Sequence, residues 1–175
     1  IILYVGNLLE EKGVIDLLEA FQMVKDLGAH LIYVGDGPLA EGLALRADGL
    51  GLGGRVRLLG ARPPESIPEL LSTADILVLP SHREGLPMVC VEALACGIPV
   101  VATNTGGIPE VVRHMETGLL VPPGDIGALA AALRWVLVNG AAVHKLAQAG
   151  RRLVEQKYDL EANTRQLREI YQDVL

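Results

Sequence analysis

Asp75-Ile76-Leu77-Val78-Leu79-Pro80, Ser81-His82-Arg83-Glu84-Gly85-Leu86-Pro87-Met88, Val89-Cys90-Val91-Glu92-Ala93-Leu94-Ala95-Cys96-Gly97 and Ile98-Pro99-Val100-Val101-Ala102 follow one another without a break, and this stretch decides the fold. Asp75–Pro80 and Ile98–Ala102 are short and apolar at consecutive positions rather than alternate ones. That pattern belongs to parallel strands covered on both faces by helices. Pro87–Cys96 between them reads as a helix, with Pro87 in its first turn where a missing N–H loses nothing.

The same unit recurs on either side. Ile1–Gly6, His30–Gly35 and Arg55–Gly60 are strand-like upstream, and Leu119–Pro122 is a weaker sixth strand downstream. In Val14–Leu27 the apolar set Ile15, Leu18, Phe21 and Val24 recurs every three residues, and Leu17 and Ala20 widen the stripe into a helical face. Pro64–Ala74 and Ile108–His114 are further helical candidates. Strand–helix alternation at this pitch predicts right-handed βαβ units and an open, doubly wound parallel sheet. After Pro123 only helices are expected, near Ile126–Asn139, Ala141–Tyr158 and Leu160–Leu175, punctuated by Gly140 and Asp159. The expected fold is therefore α/β: one Rossmann-like domain over residues 1–175, with about six strands and a C-terminal helical tail.

Composition narrows the function. The 175 residues are 50% hydrophobic, 21% charged and 3% aromatic, with a formal net charge of -6. One large core can be filled, which excludes disordered and fibrous classes. An acidic chain with so few aromatics offers no basic, aromatic-studded strip for nucleic acid. No apolar run approaches the ~20 residues that span a bilayer. Cys90 and Cys96, in one apolar stretch, read as buried free thiols of a reducing compartment rather than a disulfide or metal pair. The opening Ile1, in a strand-like run without Met, reads as the start of a piece cut from something longer.

Ligands of such sheets bind outside the carboxyl ends of the strands. In the fourth such loop, Gly85 permits close backbone approach, and the following helix start presents free N–H groups suited to phosphate. Glu92 is the one acid on a helix otherwise apolar all round. A buried carboxylate there needs hydrogen bonds, from two sugar hydroxyls or from an internal partner such as Arg113, unless Glu92 lies on a surface edge of the helix. Glu84, ahead of the helix, either contacts ligand or simply complements the helix dipole. In the first loop, Gly6-Asn7-Leu8-Leu9-Glu10-Glu11-Lys12-Gly13, Lys12 can reach a phosphate or merely balance Glu10 and Glu11.

Gly35-Asp36-Gly37-Pro38-Leu39-Ala40 has the spacing of a dinucleotide fingerprint. It follows the second strand rather than the first, and no acid ends the next strand to hold a ribose, so that reading is weak. Neither a P-loop nor a Gly-x-Ser-x-Gly elbow occurs, nor an Asp-x-Asp pair for a divalent ion. His82, at the carboxyl end of a strand, can either face ligand or serve the loop's own structure, the blander of the two readings. His30 reads as structural within its strand, and Arg151, Arg152, Glu155 and Lys157 as a solvated helix face.

Glu84-Gly85-Leu86-Pro87 with Glu92-Ala93-Leu94-Ala95-Cys96-Gly97-Ile98-Pro99-Val100-Val101-Ala102 resembles the E-x7-E signature of retaining glycosyltransferases of the GT-B fold, family 4 (group 1). Tyr4-Val5-Gly6-Asn7-Leu8 with Lys12-Gly13, Val34-Gly35-Asp36-Gly37-Pro38, Val56–Gly60, Ala74–Ser81, Gly106–Val111 and Gly118-Leu119-Leu120-Val121 resemble the other family blocks, in order along nearly the whole chain. The resemblance implies the C-terminal, nucleotide-sugar-binding domain of a two-domain enzyme, without its N-terminal Rossmann-like half.

It further implies that Lys12, helped by Asn7 and by backbone N–H groups of Gly85, Leu86 and Met88 in the segment that also carries Pro87 as a donor-binding position, binds the donor diphosphate. Glu92 would hold the ribose, Glu84 would act as the catalytic contact to the donor sugar, and the loop at Arg62 would frame the base. No metal or other cofactor is implied beyond the donor itself, a UDP-, GDP- or ADP-sugar. Asn7 stands where the family often has Arg, which removes a charge and a bidentate fork. The expected activity is retaining glycosyl transfer in the cytoplasm, with membrane association open only to the absent half. The isolated domain would bind nucleotide without turnover. A nucleotide-sugar epimerase of the same fold and a non-catalytic nucleotide-binding module are the alternatives.

Overall fold

The computed structural model describes residues 1–174, and the side chains of residues 1–172. Six strands, β1 (Ile2–Val5), β2 (Leu31–Val34), β3 (Val56–Leu58), β4 (Ile76–Leu79), β5 (Val100–Thr103) and β6 (Leu119–Val121), form one parallel sheet in the order β3-β2-β1-β4-β5-β6. This is the doubly wound order, with its switch point between β1 and β4, where the chain stops adding strands on one side and crosses to the other. The Rossmann-like α/β expectation is therefore met.

Burial explains the strand pattern. All four residues of β4 and of β5 are buried, whereas edge strand β3 buries Val56 and exposes Arg57. Central strands are covered on two faces and so cannot alternate with polar residues. Two tyrosines tie the sheet to its loops. Tyr4 and Tyr33 are fully buried neighbours with ring centroids 5.5 Å apart and a 53° tilt. Tyr33 Oη donates to the Val14 carbonyl and Tyr4 Oη to the Asn7 carbonyl, both at 2.8 Å. A buried phenol needs such a partner.

The helices are α1 (Val14–Gln22), α2 (Ala40–Gly49), α3 (Ile67–Ser72), α4 (Met88–Ala95), α5 (Ile108–Val111), α6 (Ile126–Val138), α7 (Gly140–Lys157) and α8 (Leu160–Val174). In α1, Leu17, Leu18 and Phe21 are fully buried, each contributing about 1.5–3 kcal/mol of hydrophobic stabilisation. The helix starts after Gly13, whose φ of 64° is left-handed; a Cβ there would lie 2.1 Å from the Pro80 carbonyl oxygen. Only glycine lets the first loop approach the end of β4 so closely.

Several boundaries differ from the sequence reading. Helix α1 stops at Gln22, because Val24 leaves helical geometry and Lys25–Leu27 forms a separate 3-10 turn closed by left-handed Gly28. Pro64–Ser66 is likewise a 3-10 turn ahead of α3. The helix expected over Ile108–His114 ends at Val111, since Val112 is extended. Pro87 is the residue before α4 rather than its first turn. Helix α2 was not delimited by its pattern: it carries two glycines and buries only Leu43 and Ala47, so it lacks an apolar stripe. His30 is exposed and precedes β2 instead of lying within it.

Helix α6 is capped by Asp125, whose Oδ1 accepts from the Ala128 N–H at 2.8 Å. It packs on α1, and α7 packs on α4. Helix α8 exposes every described side chain, including Leu160, Leu167, Ile170 and Tyr171. Among the described residues no single helix is long and apolar enough to cross a membrane.

Candidate active site

At the switch point, the loops after β1 and β4 face one another across a cleft of about 340 Å³. Gly6, Asn7, Lys12, Glu84, Pro87 and Glu92 line it, over a floor of Tyr4, Val5, Leu79 and Val89. Lys12 ends the 3-10 turn Glu10–Lys12 just before Gly13. Its Nζ donates to Glu84 Oε1 at 2.8 Å, and Ser81 Oγ donates to the same oxygen at 2.7 Å. Glu84 is only 11% exposed and Lys12 22%, so each charge depends on the other as a partner. The Glu84 carboxylate also acts on its surroundings: burial first, and then its charge, push the Tyr4 phenol and the Cys90 thiol well above their ordinary ranges.

The loop carrying Glu84 is held by its neighbours. Left-handed Gly106 (φ 54°) lies against it, where a Cβ would fall 1.9 Å from the Glu84 carbonyl oxygen. Gly107 N–H donates to the Gly85 carbonyl at 2.8 Å. Thr103 Oγ1 donates to the Ser81 carbonyl and Thr105 Oγ1 to that of His82. His82 does not face the cleft; its Nε2 is 2.7 Å from Asp16 Oδ2 on α1.

Glu92 departs from its expected setting. It is half-buried at the cleft rather than sealed inside, and α4 is not covered all round: Met88 and Ala95 are exposed. No buried-charge penalty applies, and Arg113 is not its partner, since Arg113 lies 3.7 Å from Glu116. Of the two thiols, Cys90 is buried but Cys96 is only half-buried, because it follows the last turn of α4.

Asn7, Lys12, Glu84, Pro87 and Glu92 are thus brought together. Gly85, Leu86 and Met88 lie beside the cleft but outside its lining, with Leu86 and Met88 exposed. Arg62 is exposed on the loop after β3, two strands away from β1. Ser81 was missed as a site residue; its hydroxyl acts on Glu84 within a loop whose turn the sequence does not specify.

The glycine-rich loop at Gly35–Gly37 has a structural use. Leu8 N–H donates to the Asp36 carbonyl at 2.9 Å and Leu39 N–H to the Leu8 carbonyl at 3.2 Å, so this loop zips to the first one rather than opening toward a pyrophosphate. A larger hollow of 580 Å³ opens at the amino ends of the strands, bordered by Leu27, Ala29, Ile98, Pro99, Val136 and Val143. Ile1, Asp75 and His144 also border it, but it lies at the amino ends of the strands, opposite the end where ligands of such sheets bind, so the smaller cleft is the candidate for chemistry. Among the described residues no three His, Cys, Asp or Glu side chains converge as a metal cluster.

Known proteins share this architecture. N-acetyl-alpha-D-glucosaminyl L-malate synthase of Bacillus anthracis is 33% identical over 176 residues, covering 100% of this chain and 46% of that protein. The structure of Anabaena Alr3699/HepE in complex with UDP superposes with a TM-score of 0.92 at 28% identity, covering 98% of this chain and 48% of that one. The C-terminal domain of the group 1 family protein LpcC from Francisella tularensis superposes with a TM-score of 0.84 at 26% identity, covering 91% and 86%. The chain spans about half the length of the curated relatives it matches. With residues 1–153 matching the family described as "Glycosyl transferases group 1", the chain belongs to that family of glycosyltransferases.

Proposed function

We propose that the cleft between β1 and β4 binds a nucleoside-diphosphate sugar and forms the donor half of a retaining, metal-independent glycosyltransferase. The observation that carries this reading is the convergence of one cation, Lys12, with two carboxylates, Glu84 and Glu92, at the switch point of the sheet. The UDP held by the Anabaena protein supports it.

In this reading Lys12 turns from Glu84 to the diphosphate, and the free N–H groups at the start of α4 assist it. Together they stabilise negative charge as it develops on the leaving group. Glu92 accepts hydrogen bonds from two ribose hydroxyls; half-buried at the cleft and without a hydrogen-bonding side-chain partner among the described residues, its carboxylate is available to them. Glu84, released from Lys12 but still held by Ser81, accepts from hydroxyls of the donor sugar. The loop at Arg62 borders the base. Acceptor binding and the remaining catalytic groups belong to another Rossmann-like half, so this chain alone binds nucleotide without transferring sugar.

Titration with UDP, GDP and ADP, followed by thermal melting, tests the reading and identifies the base. Saturating nucleotide is expected to raise the melting temperature; no rise with any of the three would contradict a donor site.

A further inference from the structure

We propose that Asp16 and His82 are a positioning pair that holds the Lys12 loop and the Glu84 loop in register once a diphosphate has drawn Lys12 away from Glu84. This inference rests on the donor-site reading above. In the unliganded protein the two loops are joined at the cleft by the Lys12–Glu84 contact. A ligand phosphate that recruits Lys12 must weaken that contact, and the loops then need another tether.

His82 supplies it from outside the cleft. Its Nε2 lies 2.7 Å from Asp16 Oδ2, in the first turn of α1, and its backbone N–H donates to the Glu11 carbonyl at 2.8 Å. His82 therefore grips the chain on both sides of Lys12, immediately before it and one helical turn after it. It also stands two residues from Glu84, and its own carbonyl is fixed by Thr105 Oγ1 at 3.2 Å. Neither Asp16 nor His82 lines the cleft; His82 borders a separate hollow with Leu9, Glu10, Glu11 and Arg83, and its Nε2 is turned to Asp16, so the pair acts through Lys12 and Glu84.

The test is calorimetric titration of wild type, His82→Ala, His82→Gln, Asp16→Ala and the double alanine variant with UDP, GDP and ADP, and with the parent nucleosides. His82→Ala and Asp16→Ala should each weaken the nucleoside diphosphate about five- to tenfold, the scale of one net hydrogen bond felt indirectly through the position of Lys12. Nucleoside binding should stay within about twofold, because the lost register matters only where Lys12 meets phosphate. His82→Gln, whose amide nitrogen reaches the position of Nε2, should recover to within about twofold, and the double variant should lose no more than either single one.

Unchanged diphosphate affinity in His82→Ala would overturn the proposal, as would equal losses for nucleoside and diphosphate, or a Gln variant as weak as the Ala variant. If His82→Ala fails to fold, Asp16→Ala carries the same expectation without altering the loop. Wild type that binds none of the three diphosphates removes the donor-site reading and this pair's role with it. Wild type that binds, with both single variants unaffected, removes the pair's role alone.

Discussion

Lys12 Nζ and Glu84 Oε1 meet at 2.8 Å although 72 residues separate them in the chain, and the contact spans the switch point of the sheet. A cation already engaged by a carboxylate is not free for a phosphate. Any diphosphate entering this cleft must compete with Glu84 for Lys12, and it also meets the negative charge of Glu84.

Replacing that carboxylate by its neutral isostere should separate binding from transfer. Glu84→Gln is expected to bind the nucleoside diphosphate about fivefold more tightly, the scale of a partly exposed ion pair. In the complete enzyme the same substitution should lower sugar transfer. Isothermal titration checks the first part, and weaker diphosphate binding would show that Glu84 helps rather than hinders the phosphate.

Glu92 should matter for ligand and little for the fold. It is half-buried at the rim of the cleft, and its removal leaves no protein donor orphaned inside the core. Glu92→Ala is expected to change the unliganded stability by less than about 0.5 kcal/mol while removing most of the melting rise produced by nucleotide. Unfolding of the variant would instead make Glu92 a structural residue.

Asn7 leaves the cleft with a single cation. Its side chain is exposed at the lining, so an arginine has room to extend toward the ligand. Asn7→Arg should tighten the nucleoside diphosphate about five- to tenfold at low salt, with the gain shrinking as ionic strength rises. A salt-independent gain, or none, would argue that residue 7 does not face the diphosphate.

A stability prediction concerns Met115, the one non-glycine residue with positive φ (60°) among the described residues; its side chain is exposed. Asparagine tolerates that geometry and a β-branched residue does not. Met115→Asn should stabilise the chain by about 0.5–1 kcal/mol, a melting rise of a few degrees, and Met115→Val should lower it by a similar amount. Thermal melts in the opposite order would contradict this account.

What was legible in the sequence follows from which interactions are local. The apolar runs within Asp75–Pro80 and Ile98–Ala102 announce strands buried on both faces, and the structure buries every residue of β4 and β5, the polar Thr103 included. The carboxyl-edge loops could be named because the sheet order concentrates ligands there. Helix α2 was obscured by Gly42 and Gly49 and by a shallow packing face. The early stop of α1 at Gln22 was hidden because Val24 and Leu27 continue the apolar spacing after the backbone has left the helix. The burial of α4 on every side was overestimated because an apolar neighbourhood in sequence does not tell which face of the helix is left open, and Glu92 stands on the open side, at the cleft. The Lys12–Glu84 and His82–Asp16 contacts depend on two loops meeting across the sheet, and no spacing along the chain encodes that meeting.

The central claim is that Lys12 serves a diphosphate, and the direct measurement compares Lys12→Ala with wild type on one nucleoside diphosphate and its parent nucleoside. Lys12→Ala is predicted to weaken the diphosphate about 10- to 100-fold, as expected for losing a charge-assisted contact, while nucleoside affinity changes little. Equal losses for the two ligands, or no loss for either, would contradict the account.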